Sequence, residues 1–444
     1  MKFSRFLALV LALCLTTTVL PSPALARETT FEASGSVSDY VDGFYAYASV
    51  TPTVDDNGYT LYEYALPENP TIYQNEYYAN SLSDYQKAVY RGFMDGFSEI
   101  TPDELMLMQK VRLFYSEEVT VEITSQEEFD TFILDKLAAE RAKMDMQTLY
   151  NAIQYDHTEL FWMRGAGFNV SVSATYQSGV ATLTWKADMM ARAEMLFATK
   201  EDLTAAAQKM NTAVDTILAS APTTTDYDKI VYFNDWLKEN NTYNQTHFEN
   251  NNYPLAHGAY SAFTSNNDEP TGPVCQGYAY ALKYLCDKVG IENVVVSGIL
   301  YQTNAAPGPH AWNLIKLDGN WYAVDVTAND GLSNDTYNFL VGSDTPSHDP
   351  NYPNFSLSHV NDDRFVYPTL FASAYTPPPA RLSGDVNEDG AINGKDFAIL
   401  RQFLNEWEVE INESNADVNA DGNVNGKDMA LLRQYLNDWD VVLK

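Results

Sequence analysis

A cysteine, a histidine and an aspartate lie in an order and spacing that suit nucleophilic catalysis: Cys275, His310 and Asp325. The segment Gly272-Pro-Val-Cys275-Gln-Gly-Tyr-Ala-Tyr-Ala-Leu-Lys-Tyr-Leu-Cys286-Asp-Lys-Val-Gly290 reads as a helix. Pro273 suits its start, apolar residues 279, 282, 286 and 289 give it one buried face, and Gly290 stops it. Cys275 thus falls in the first turn, where the helix dipole favours an anionic sulfur. A nucleophilic cysteine needs a histidine as base, and the histidine needs an acid to orient it. His310-Ala-Trp-Asn-Leu-Ile-Lys-Leu317 is followed by Asp318-Gly319 and by Asn320-Trp-Tyr-Ala-Val-Asp325-Val-Thr327, the pattern of a two-residue hairpin. In that register Leu317 pairs with Asn320, Trp312 faces Asp325 and His310 faces Thr327. His310 and Asp325 are then diagonal neighbours on one face, within side-chain reach. A competing reading leaves Cys275 as a buried structural thiol, which fits Cys286 better.

A second constellation favours a hard cation. Asp385-Val-Asn-Glu-Asp-Gly-Ala-Ile-Asn-Gly-Lys-Asp396 recurs 32 residues later as Asp417-Val-Asn-Ala-Asp-Gly-Asn-Val-Asn-Gly-Lys-Asp428. Each is a twelve-residue calcium loop. Oxygen donors come from Asp385, Asn387, Asp389, the Ala391 carbonyl, Asn393 and Asp396 in the first, and from Asp417, Asn419, Asp421, the Asn423 carbonyl, Asn425 and Asp428 in the second. Gly390 and Gly422 stand where the chain must turn sharply. Asp occupies the twelfth position, normally filled by Glu. A matching amphipathic segment follows each loop, Phe397–Trp407 and Met429–Trp439, so the unit is loop–helix, twice. Residues 384–444 carry 13 acidic and 5 basic side chains, so repulsion among ligands opposes the metal-free fold.

These sites sit in a chain of 444 residues with formal charge −33. Such a field argues against nucleic acid and anionic membranes as partners. Hydrophobic residues make up 45% and aromatics 13%, enough for real cores. Residues 1–26 read as a secretory signal peptide: Lys2 and Arg5, the apolar run Phe6–Leu15, the Pro21-Ser22-Pro23 break and an Ala24-Leu25-Ala26 cleavage site. Beyond it only Cys275 and Cys286 remain. They lie eleven residues apart on one helix, about 16 Å along its axis, and cannot form a disulfide together. Residues 27–200 read as an α+β region with no evident chemistry, Tyr-rich and irregular to about 80. Helical periodicity follows over Asp84–Phe97 and Glu127–Tyr155, and two short strands over Asn169–Trp185 turn at Ser178-Gly179. Asp156-His157 is read as a structural pair. Residues 201–372 hold the catalytic candidates, with helices expected over Glu201–Ala219 and Asp226–Asn240. A Pro-rich linker, 373–383, precedes the calcium module at 384–444.

The two loop–helix repeats resemble the type I dockerin domain across 384–444. That resemblance implies two structural calcium ions and docking onto a cohesin domain of a scaffoldin in a cellulosome. Loop positions 10 and 11 are Gly394-Lys395 and Gly426-Lys427 rather than the Ser/Thr pair common in dockerins, which leaves the cohesin type open.

Cys275-Gln-Gly-Tyr-Ala, His310-Ala-Trp-Asn-Leu-Ile-Lys-Leu-Asp-Gly-Asn-Trp-Tyr and Val324-Asp325-Val-Thr resemble the transglutaminase-like superfamily, as does the helix from Tyr227 toward Tyr243. The resemblance covers roughly 205–345 and implies an α+β fold with a papain/transglutaminase-like core and a Cys–His–Asp triad. Carried over residue by residue, Cys275 is the nucleophile, His310 the base and Asp325 its orienter. Where relatives often place a Trp after Asp-Val-Thr, this chain has Ala328. The implied reaction is acyl transfer from a protein or peptide amide through a thioester, with peptidase favoured over amine transfer. A displayed non-catalytic binding module, or a carbohydrase suggested by the dockerin alone, are the competing readings. The expected location is extracellular, on a cellulosome or cell surface.

Overall fold

The computed structural model describes residues 30–41, 53–54, 58–97, 105–162, 166–303, 305–330, 337–347, 349–377 and 382–444. The signal peptide expected at 1–26 lies outside them. The chain folds as two units, and the boundary falls between Tyr375 and Thr376.

In the first unit, β1 (Thr30–Val41), β2 (Thr53–Val54) and β3 (Thr60–Ala65) precede α1 (Tyr77–Ser81) and α2 (Asp84–Phe97). Then come β4 (Met108–Thr120), α3 (Gln126–Met144), α4 (Met146–Asp156) and the hairpin β5 (Ala166–Gln177)–β6 (Val180–Arg192). The six strands form one sheet in the order β1-β5-β6-β4-β3-β2, with β3 and β4 parallel. Ser178 and Gly179, both at positive φ, make the tight turn between β5 and β6. The helix expected over Glu127–Tyr155 is broken at Asp145. That residue ends α3 in the left-handed region (φ 41°) and caps α4 by accepting the Thr148 N–H. The stretch expected to be irregular up to residue 80 instead contains β1, paired with β5 along its whole length. Short-range patterning could not reveal it, because its partner lies more than 120 residues away.

The chain continues through α5 (Lys200–Ser220), α6 (Asp226–Glu239), α7 (Gln245–Asn250) and α8 (Ala259–Thr264) to α9 (Cys275–Lys288). Strands β7 (Asn293–Gln302), β8 (Ala305–Leu317) and β9 (Asn320–Val324) follow, then α10 (Val326–Asn329), β10 (Phe339–Val341), α11 (Phe355–Ser358) and β11 (His359–Asn361). The second sheet is antiparallel, in the order β10-β9-β8-β7-β11. Helix α9 packs on it. Asn313, wholly buried on β8, donates to the Ala279 carbonyl (2.9 Å) and to Asn293 (3.0 Å), which pins helix to sheet.

The described residues up to 200 and those after them share one continuous core. The Tyr78 hydroxyl donates to the Val295 carbonyl in β7, and its ring stands 4.6 Å from that of Phe365. Asp156 is the structural residue the sequence suggested: its buried carboxylate accepts the N–H groups of Tyr78 (3.0 Å) and Ala79 (2.8 Å). Lys283, buried in α9, donates to the Asn75 carbonyl (3.3 Å).

The second unit contains α12 (Gly394–Leu404), α13 (Glu413–Ala416) and α14 (Gly426–Tyr435). Helices α12 and α14 begin three residues before the expected positions. Asn393/Asp396 and Asn425/Asp428 form capping boxes that draw the ends of the loops into the first turns. Val386, Leu400, Ala416, Val418 and Leu432 make a small core, its Val and Leu pairs repeating at the 32-residue offset.

Candidate active site

Cys275 is the first residue of α9, with Val274 as N-cap, and its side chain is part-exposed. His310 lies on β8 opposite Gly298 of β7. Asp325 follows the last residue of β9. The β8–β9 register is the expected one, with Leu317 opposite Asn320 and Asn313 opposite Val324. Asp318 and Gly319, both at positive φ (49° and 81°), form the turn.

The pairing stops at Val324, however, so Trp312 does not face Asp325, and Val326-Thr327 is not strand. Asp325 is the N-cap of α10. Its Oδ1 accepts the Ala328 N–H (3.1 Å), and its own N–H donates to the Asn338 carbonyl (2.8 Å). This departure from the strand turns Oδ2 toward His310 Nε2, at 2.7 Å. The expected histidine and aspartate therefore meet, by a helix cap rather than a diagonal strand pair. The Cys275 sulfur is close enough to act on the His310 imidazole.

Burial alone would depress the basicity of His310, but the Asp325 carboxylate and the Cys275 sulfur outweigh it and hold the imidazolium well above the usual histidine range. Asp325 is fully buried, which by itself would raise its pKa. The charge and hydrogen bond of His310, helped by His359, keep the carboxyl well below the usual carboxylate range. Cys286 is wholly buried on the same helix, and burial pushes its thiol up to about 12.

Two neighbours escaped sequence reasoning. The Tyr243 hydroxyl lies near Cys275, and burial followed by the charges of Cys275 and Asp325 raises its pKa. His359, on the edge strand β11, places Nε2 3.2 Å from the same Asp325 oxygen. No local pattern marks either one; His359 reaches the site because β11 adds to β7. His310, Asp325 and His359 bring three potential ligand atoms within 4.8 Å, but both nitrogens lie at N–H donor distance from a single oxygen. A cavity of about 640 Å³ opens beside His359 and is lined by Ala328, Tyr301, Tyr337, Phe355 and Asp349.

In the second unit the two loops adopt one conformation. Asp385 accepts the Asp389 and Gly390 N–H groups (3.1 and 2.9 Å), and Asp417 those of Asp421 and Gly422 at the same distances. Asp396 and Asp428 have no exposed surface, yet each is a carboxylate in an acidic loop. Lys395 reaches Asp389 and Lys427 reaches Asp421, both at 2.7 Å. Asp396 accepts the Asn387 and Asn393 N–H groups, and Asp428 those of Asn419 and Asn425, so each twelfth-position carboxylate closes its loop. Asn387, Asn393, Asn419 and Asn425 lie in the same turns, with Ala391 and Asn423 at the carbonyl positions.

Residues 212–326 match the family model described as "Transglutaminase-like superfamily", and residues 383–437 match "Dockerin type I domain". A mouse protein, "Kyphoscoliosis peptidase", is 36% identical over 69 residues, covering 14% of this chain and 10% of that protein. The chain thus spans about a tenth of the length of the curated relative it matches. A solved structure titled "Crystal structure of a TGase" aligns at a TM-score of 0.23 with 14% identity, over 52% of this chain and 53% of its own. A putative cysteine protease from Cytophaga hutchinsonii aligns at 0.21 with 18% identity, over 37% and 57%. Alignments this loose carry no argument about the site.

Proposed function

We propose that this chain, which carries a transglutaminase-like domain and a C-terminal type I dockerin, is a secreted cysteine enzyme. It cleaves protein or peptide amides through a thioester and is anchored to a cohesin of a scaffoldin. The observation that supports this most is His310, 2.7 Å from the buried Asp325 carboxylate and within the influence of the Cys275 sulfur at the start of α9.

In this reading the Cys275 thiolate attacks the amide carbonyl. The negative charge that develops on the carbonyl oxygen is met by the Cys275 N–H at the start of α9, with the nearby Tyr243 hydroxyl as a second donor. His310 passes its proton to the leaving amine, and the C–N bond breaks to leave a thioester. Asp325 keeps the imidazole oriented and its cationic form stable. Water, deprotonated by His310, then attacks the thioester and releases the acid. The same step with an amine acceptor would give cross-linking. Ala328, small where relatives often carry Trp, leaves the adjoining cavity open for a substrate side chain.

Bound calcium would supply the positive charge that the dockerin loops lack. Two ions would be held by Asp385, Asn387, Asp389, Ala391, Asn393 and Asp396, and by Asp417, Asn419, Asp421, Asn423, Asn425 and Asp428. The signal at 1–26 directs export.

The test compares the mature protein with Cys275→Ala in calcium and reductant, each given a mixed protein substrate and a labelled primary amine. Cysteine-dependent new termini, read by mass spectrometry, are the expected result. Cysteine-dependent amine incorporation would reassign the enzyme to amine transfer. Identical behaviour of the two proteins would overturn the reading.

A further inference from the structure

Asp325 serves two imidazoles. Its Oδ2 lies 2.7 Å from His310 Nε2 and 3.2 Å from His359 Nε2, while Oδ1 is occupied by the Ala328 N–H. A carboxylate buried to this degree cannot turn toward water, so its plane is set by these donors. His359 is itself closely held. It is buried, its ring stacks on Phe355 at 4.0 Å and 11°, and the Trp312 ring meets it edge-on at 5.1 Å.

The other ring nitrogen, Nδ1, is 2.8 Å from the Ser358 hydroxyl. That hydroxyl also lies 2.9 Å from the Phe355 carbonyl, and its single proton serves one acceptor at a time. When Ser358 donates to Nδ1, the neutral ring must carry its proton on Nε2, directed at Asp325. Burial and the nearby His310 charge both disfavour protonation of His359, and the Asp325 carboxylate opposes them; the balance lies below the usual histidine range. Among the described residues, the ionisable groups bearing on the ring are Asp325, from the β9–α10 junction, and His310, from β8.

We propose that His359 is a positioning residue of the reaction: its Nε2–H, set by Ser358, fixes the Asp325 carboxylate so that Oδ2 stays on His310. The idea rests on the proposed roles of Asp325 and His310. Without the second donor the carboxylate swings between its remaining partners, the His310 imidazolium loses part of its support, and Cys275 beside it reacts less readily at mildly acidic pH.

The experiment uses the full chain with calcium and follows labelling of Cys275 by iodoacetamide from pH 5 to 10, read by peptide mass. Wild-type Cys275 is expected to label at pH 6. His359→Ala is expected to label about tenfold more slowly at pH 6 and to approach wild type above pH 9. His359→Gln, whose amide nitrogen can occupy the place of Nε2, is expected to recover to within about twofold. Ser358→Ala should show a smaller loss with the same pH dependence, and it keeps the question answerable if His359→Ala does not fold.

A His359→Ala profile that superimposes on wild type overturns the proposal. So does a loss equal at every pH and not rescued by Gln, since that is the signature of damaged packing. Absence of labelling at pH 6 in the wild type is a separate outcome: it removes the assignment of Cys275 as nucleophile, and this inference with it.

Discussion

Asp325 shows how much one side chain can decide. It caps α10, accepts from two histidines and has no exposed surface. Its carboxyl lies well below the ordinary range, so it contributes stability that is present above its unfolded value, near 3.9, and lost as the pH falls through its folded value. His310 is shifted upward, so its contribution is full below its unfolded value, near 6.5, and lost as the pH rises through the folded one. The ion pair therefore stabilises most between about pH 4 and 6.5. Asp325→Asn should cost most in melting temperature inside that window and less on either side. In the same variant the His310 imidazolium loses its counter-charge. Turnover should fall on the order of 10³- to 10⁴-fold, and the activity that remains should fade at a lower pH on its alkaline side. Thermal melts and a pH–rate profile of the variant check both statements. An unchanged alkaline limb would detach Asp325 from the histidine.

Elements bring these side chains together, and their legibility follows from the range of the forces that form them. The β8–β9 register could be read from Asp318-Gly319, because a two-residue turn at positive φ fixes the pairing of its flanks. Helix α9 was equally legible from its apolar spacing and from Gly290. For Asp325 the sequence points to His310 through a diagonal strand pair, whereas the contact is made from a helix cap, since nothing in Val324-Asp325-Val-Thr announces that the strand becomes one. β11 was not foreseen as a neighbour, and with it His359 was missed; three residues carry too little periodicity to declare a partner 60 positions earlier. What that pairing demands is visible at Gly298. A Cβ there would strike the Val360 carbonyl of β11 and the Trp312 ring. Gly298→Ala is accordingly expected to cost about 1–3 kcal/mol and to displace His359 from Asp325. Denaturant unfolding measures the first effect and the iodoacetamide profile the second; an alanine variant that matches wild type in both would show that β11 has room to spare.

On the scale of the whole molecule, the chain is two units with separate cores. From the proline run and the repeated acidic loops the sequence places a linker at 373–383, and the two units divide between Tyr375 and Thr376. The sequence is silent on the first unit's unity: Tyr78 reaches Val295 in β7 and Lys283 in α9 reaches Asn75, contacts 217 and 208 residues apart in the chain. Among the described residues, no helix is long and apolar enough to cross a membrane. The small core of the dockerin and its surplus of negative charge lead us to expect a fold that depends on bound metal. Chelation should therefore abolish the melting transition of the dockerin and leave that of the first unit in place. Circular dichroism or calorimetry that shows one undisturbed transition for the whole chain after chelation would refute this division.

The proposed chemistry stands or falls on whether Cys275 carries the acyl group. The decisive experiment is to stop the reaction with a mixed protein substrate in acid and map adducts on the enzyme by mass spectrometry. A hydroxylamine-labile thioester is expected on Cys275 and none on Cys286, whose buried thiol resists ionisation. Substrate turnover with no adduct on Cys275, persisting undiminished in Cys275→Ala, would contradict it.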